Sequence, residues 1–385
     1  MKERKQLRDI PNPDTRLEEL EYRLANDDRR GVISALLDVV DDPYPPIRRR
    51  ATEALAGRVD EPLANLFGAL LLEEDEAAGR AVAQLGIEPP EHLGPTGPVK
   101  QAACRILAHT EGEGARDILG QAAADPDADV RYQALVALHN HEVPEDELER
   151  TVAARLQDAD PEVASVAAQI VAEHGWTTYT EVITKKWRDA RRDTRLQFAI
   201  SLAELAGQHD ADLPQANLDE LLDELTDALR DERTVAGACR ALVALGDKRA
   251  HEALESVVDG WFVHPLLRVE AAGALVELGD DAGRDALADY LDEDRDDVRG
   301  YALRQVGRLQ LDAHFDRLAD LAQSDDYHAD TAILALAEWG SDEAMDILED
   351  VADSQPDDDL AQLAKRALIQ RRELGRFEPA LFEFL

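Results

Sequence analysis

The residues of this chain that could carry chemistry are few and widely spaced. His139, His141 and Glu142 stand close together, and His251 directly precedes Glu252. Imidazole and carboxylate together suit a transition metal or an acid–base pair. A His-x-His at a helix end points its rings apart, however, and no second cluster completes a coordination sphere. Cys104 and Cys239 are the only thiols, too far apart in the chain to form a disulfide framework. Gly112-Glu-Gly114 lacks the third glycine of a dinucleotide fingerprint, and no phosphate loop, nucleophile elbow, C-x-x-C or H-E-x-x-H is present. These residues predict no catalytic site, no metal and no cofactor.

What positions the side chains is a repeat. In Val130-Arg-Tyr-Gln-Ala134-Leu-Val-Ala-Leu138 an apolar residue is followed by a basic one, by Ala at +4 and by an apolar residue at +8. The same frame recurs with its +4 residue at Ala51, Ala103, Ala134, Ala167, Phe198, Ala238, Ala271, Ala302, Ala332 and Ala364. Intervals are 30–33 residues, except for 52 before Ala103 and 40 before Ala238. The longer gap implies a degenerate eleventh copy around Ala81 and a loop insertion at 87–98, and the other an insertion at 207–217. Positions 0, +4 and +8 share one helical face, and a second amphipathic stretch precedes each copy. Asp42-Pro43, Asp125-Pro126 and Asp160-Pro161 are expected helix starts. Gly175, Gly207, Gly246, Gly279 and Gly340 are expected to close second helices. The predicted fold is all-α: an α-solenoid, a superhelix of about ten to eleven helix-turn-helix repeats.

The frame D-P-x-x-x-V-R-x-x-A-x-x-A-L, at Asp125 to Leu138, resembles the short HEAT-like repeat of bilin-lyase-type (PBS lyase HEAT-like) proteins. The resemblance runs from about residue 30 to 374. It implies an armadillo-like helical scaffold and, as the alternative to a plain scaffold, a lyase-like enzyme or subunit acting on a bound pigment or modified protein. The architecture also resembles deoxyhypusine hydroxylase, whose di-iron site uses several His–Glu pairs on matching helices. His141-Glu142 in a loop and His251-Glu252 on a first helix do not reproduce that pattern.

A solenoid offers a long face made by its second helices. On that face the rows between the buried positions carry Arg240, Tyr301, Arg304 and Arg308, with Tyr132 and His139 flanking it. Arg and Tyr are the side chains that most often anchor interfaces. A second candidate surface is the basic segment of Lys185, Lys186, Trp187, Arg188, Arg191 and Arg192, which suits an acidic partner. The basic residues at +1 (Arg48, Lys100, Arg131, Arg195, Arg268 and Arg299) predict instead a ladder between repeats. The expected function is a non-catalytic scaffold or adaptor that binds a protein partner on the inner face.

Composition narrows the rest. The 385 residues hold 42 Lys+Arg against 82 Asp+Glu, a net charge of −40, with aromatics at 5%. Asp (47) exceeds Glu (35), and Arg (35) exceeds Lys (7). This pattern resembles cytoplasmic proteins of extreme halophiles, of the haloarchaeal type. Such a charge repels phosphate polymers, which argues against nucleic acid. The longest apolar run, Leu66 to Leu72, is too short for a membrane span, and Met1 to Pro13 has no signal-like core. A cytoplasmic monomer or loose homo-oligomer is expected. The predicted layout is an N-terminal segment with a capping helix (1–29), repeats at 30–206 and 218–374 around the 207–217 insertion, and a capping tail at 375–385.

Overall fold

A computed structural model describes residues 6–374 apart from 89, 91, 111, 142 and 355–358, so the expected C-terminal tail lies outside the described residues. Every regular element among them is a helix. Two compact units, Met1–Phe198 and Ala199–Leu385, divide the chain. The N-terminal unit opens with a single 3-10 turn (Leu7–Asp9) and α1 (Pro13–Asn26), then α2 (Arg29–Val39), α3 (Pro45–Ala56), α4 (Glu61–Leu71), α5 (Asp75–Leu85), α6 (Gly97–Leu107), α7 (Glu113–Ala122), α8 (Ala128–His139), α9 (Glu145–Arg155) and α10 (Pro161–Glu173). Next come α11 (Thr180–Asp189) and α12 (Arg192–Gln208). The C-terminal unit continues with α13 (Gln215–Ala228), α14 (Val235–Leu245), α15 (Lys248–Val258), α16 (Pro265–Glu277), α17 (Asp281–Tyr290), α18 (Asp296–Arg308), α19 (Phe315–Ala322), α20 (Ala329–Trp339), α21 (Asp342–Ser354) and α22 (Asp359–Leu374).

The ten frame positions lie on α3, α6, α8, α10, α12 and the even-numbered helices that follow, and all ten are buried. So are all ten +8 residues, from Leu55 to Leu368. Alanine at the centre of every second helix but α12, which has Phe198, lets its neighbour approach closely, so α3 packs on α6, α6 on α8 and α8 on α10, and α14, α16, α18, α20 and α22 stack likewise. Each unit is therefore an α-solenoid of HEAT-like helix pairs.

The structure corrects several local expectations. α5 is no eleventh repeat: it packs on α4, while α4 also packs on α6 and α6 stacks directly on α3. Only Ala81 of α5 is buried, so this helix is an insertion inside the pair α4/α6 and accounts for the 52-residue interval. Asp160 caps α10 as expected, but Asp42 and Asp125 lie two residues ahead of the helix-flanking Tyr44 and Asp127. Their carboxylates accept from the backbone N–H of those residues at 2.9 and 2.8 Å, forming Asx turns. Gly207 does not close a helix. It sits inside α12, where any Cβ would overlap the carbonyl of Ala244 on α14. The other four glycines adopt the left-handed conformation expected after a helix.

The +1 cations do form a ladder over much of the N-terminal unit. Lys100 Nζ donates to Glu73 at 2.7 Å and to Asp125 at 2.8 Å. The Asp125 carbonyl accepts from Arg131 Nη1 at 2.9 Å, and Arg131 grips both oxygens of Asp158 at 2.9 and 2.7 Å. The Asp158 carbonyl then accepts from Lys186 Nζ at 3.0 Å. Arg48 donates to the Asp42 carbonyl at 2.6 Å, while the Asp42 carboxylate pairs with Arg16 of α1 at 2.9 Å. Arg268 Nε likewise donates to the Val258 carbonyl at 2.8 Å while its guanidinium lies 5.4 Å from the Tyr290 ring, and Arg195 lies 4.9 Å from the ring of Trp187. α1 packs on α2, with Leu20 buried and Arg16 in a buried ion pair with Asp42.

Candidate protein-binding groove

In the C-terminal unit the 0, +4 and +8 rows face inward, which turns Tyr301, Arg304 and Arg308 of α18 to one side of the stack. The structure brings these three into one concavity with Arg240 of α14. The cavity measures about 410 Å³, and its other polar walls are Glu270, Glu277 and Glu338. It shares Tyr301 and Arg304 with a second hollow of about 640 Å³ at the amino ends of α16, α18 and α20. There Glu232, Asp296, Asp297 and Asp330 supply the charge, while Leu266 and Tyr327 supply apolar surface. The two hollows form a groove crossing four second helices.

A hydrogen-bond chain fixes the groove floor. Tyr301 donates its hydroxyl to Glu270, and Gln305 Nε2 donates to the same carboxylate at 2.7 Å. Arg308 Nε and Nη2 donate to Gln305 Oε1 at 2.9 and 2.8 Å, and Arg308 also pairs with Glu277. Gln305 is buried, and the missing side chain at Gly273 leaves room for its amide oxygen. Arg240 is held by Glu204 at 3.1 Å. Burial, then the bond to Glu270, pushes the Tyr301 hydroxyl far up, so it remains a donor. Burial also raises the Glu338 carboxyl, against the pull of Arg304 and Arg308. The Cys239 thiol in the same wall is raised strongly by burial, which removes its nucleophilic character. Preorganised side chains of mixed charge around a shallow trough suit recognition of a polar chain segment.

The remaining sequence-predicted residues do not join this groove. Tyr132 and His139 are half-buried on α8 in the N-terminal unit. His139 Nε2 lies 2.6 Å from Glu173, and its ring meets His174, which stacks on Trp176. The basic segment is not one surface. Trp187 is fully buried (0% accessible), against the expectation that it contacts a partner, because it lies on the inward face of α11 with Ile183. Lys186 is committed to the ladder, whereas Lys185, Arg188 and Arg191 are exposed. The side chain of Arg192 lies outside the described residues.

Sequence reasoning missed Glu270, Gln305 and Glu338, whose partners are set by the stacking of neighbouring helices rather than by local sequence. It also missed the α15–α16 turn, where Trp261 and Phe262 are 86% and 99% exposed. Two aromatics side by side in a chain so poor in them were the available signal. Among the described residues one group has metal-ligating geometry: His251 and Glu255 of α15 with Asp280, which caps α17, their donor atoms lying within 4.8 Å of one another. His251 Nε2 already meets Asp280 at 2.5 Å, and Glu252, its neighbour in sequence, is not in the group.

Comparison with known proteins gives one family match and several distant structural neighbours. Residues 285–369, which run from α17 to α22, match the model of the HEAT repeats family, so the last three helix pairs carry that repeat. The complex of CpcE and CpcF of phycocyanin lyase from Nostoc is 18% identical, with 60% of this chain and 98% of that one covered and a TM-score of 0.35. Human deoxyhypusine hydroxylase is 18% identical over 76% of this chain and 99% of its own, with a TM-score of 0.27. Kap121p bound to Nup53p is 13% identical over 93% of this chain and 44% of its own, with a TM-score of 0.38. No curated protein matches the sequence. At these identities no residue role passes from one protein to another.

Proposed function

We propose that this chain is a protein-interaction scaffold that takes a segment of its partner into the second-helix groove of the C-terminal unit. The observation that carries this reading is the convergence of Arg240, Tyr301, Arg304 and Arg308, from two helices, on one concave surface. The floor is already hydrogen-bonded between α16 and α18 without a partner, which lowers the ordering cost of binding. The lyase-like alternative draws no support from the groove, where burial raises the Cys239 thiol and the Tyr301 hydroxyl donates to Glu270.

A photo-crosslinking residue at Ala236, which lines the groove, tests the reading against one at Asp146 on the exposed face of α9. In an extract of the native cells at molar KCl, a discrete adduct is expected from position 236 and none from 146. Combining it with R304E and R308E removes the adduct by at least about tenfold, the size of losing one interface anchor. Equal crosslinking from both positions, or an adduct indifferent to charge reversal, overturns the proposal.

A further inference from the structure

One cavity in the N-terminal unit runs against the charge of the chain. It has a volume of about 350 Å³ and lies between α3 and α6, walled by Arg48, Arg49 and Thr52 on one side and by Gln101 and Arg105 on the other. Its three charged lining residues are all arginines, in a chain with about two carboxylates for every cation. Drawn at random from that composition, three charged residues would include at least one carboxylate nineteen times in twenty or more.

The way two of these side chains are held sharpens the contrast. Arg48 Nη1 donates to the main-chain carbonyl of Asp42 at 2.6 Å, and Arg105 Nε donates to the amide oxygen of Gln133 at 3.0 Å. A neutral acceptor orients a guanidinium without cancelling its charge, and leaves its remaining N–H groups to point elsewhere. The nearby carboxyls stand outside the wall. Glu53 is raised by burial, against the opposing pull of Arg49, Arg50 and Arg105, and Asp129 accepts from the Gln101 amide at 3.4 Å. The cavity lies where α3 and α6 stack directly on one another, as α6 and α8 also do.

We propose that this cavity binds a small oxyanion, the carboxylate or phosphate group of a compact organic acid. The guanidinium fork matches both groups in a two-bond arrangement. The volume lies at the lower end of small-molecule sites, which favours a ligand of few carbons over a polymer. The net charge does not forbid this. Its repulsion decays over a screening length of about 8 Å at physiological salt, so the adjacent arginines dominate inside the cavity.

The site is independent of the groove proposed above, and its test leaves that groove intact. The full-length protein, at the lowest KCl concentration at which a thermal melt shows it folded, is titrated calorimetrically with inorganic phosphate and, separately, with citrate. At least one probe is expected to bind with a millimolar or lower Kd. R49Q and R105Q each weaken binding by about tenfold, the equivalent of one charge-assisted bond at about 1.4 kcal/mol. R150Q, at an exposed position on α9, leaves it unchanged. R105K, which keeps the charge but loses the fork, falls between. Should R105Q fail to fold in a thermal melt, R49Q and R105K carry the comparison. Phosphate binding alone assigns a phosphate ligand, and citrate binding alone a carboxylate. Binding of neither probe, or equal binding to the R49Q/R105Q double variant, overturns the proposal.

Discussion

Asp158 shows how much one side chain can do in a stack of repeats. Its two oxygens take the Arg131 fork, and its carbonyl holds Lys186. Burial pushes its carboxyl up, but the Arg131 bonds, the Asp160 N–H and the charges of Arg131 and Arg155 together hold it below the ordinary carboxylate value. A carboxyl with a depressed folded pKa contributes stability above its unfolded value, and that contribution is lost as pH falls through the depressed one. Asp158→Asn is therefore expected to cost about 2–3 kcal/mol at pH 7, as for other buried pairs that lose one partner. Denaturant melts at pH 7 and pH 3 check this: the gap between wild type and variant narrows at the lower pH. A gap that is constant with pH would show that Asp158 acts through shape rather than charge.

Individual helices show where spacing in the sequence is enough and where it is not. The ten second helices were readable because a residue at +4, Ala in nine of them and Phe198 in α12, and an apolar residue at +8 are both demanded by the same burial. Gly207 obeys a different rule, since the requirement comes from α14 and not from its own helix. Gly207→Ala is expected to destabilise by about 2 kcal/mol or more through overpacking. Gly120→Ala on α7, where a Cβ meets nothing within 4 Å, is expected to be neutral or to stabilise by up to about 1 kcal/mol. Urea midpoints for the two variants decide the matter; equal effects would refute the packing argument. The groove was legible in the same partial way. Its arginines and Tyr301 stand out as cations and an aromatic on a helix face. Glu270, Gln305 and Glu338 look like ordinary surface residues until stacking places them opposite those side chains. Trp187 misled for the converse reason: a basic run on an amphipathic helix alternates between outward cations and an inward ring.

Across the whole chain, net charge is the term that salt changes most. A net −40 spread over stacked helix pairs opposes compaction at low salt, and screening relieves it. We expect the melting temperature to rise by about 10 °C or more between 0.2 and 3 M KCl, corresponding to a gain of about 3–5 kcal/mol. Thermal melts in a KCl series measure it, and a flat profile would reject salt adaptation as the meaning of the carboxylate excess. Helix pairs that pack mainly on their sequence neighbours also keep contacts local, which favours rapid folding.

The looped-out α5 has a consequence for how such a chain can change over time. Because α3 and α6 meet across the gap, the turn between α4 and α6 behaves as an expansion joint. Sequence can be gained or lost there without shifting the register of any later repeat. An array built this way can acquire a new accessory element in a single insertion event, while every other interface is inherited unaltered.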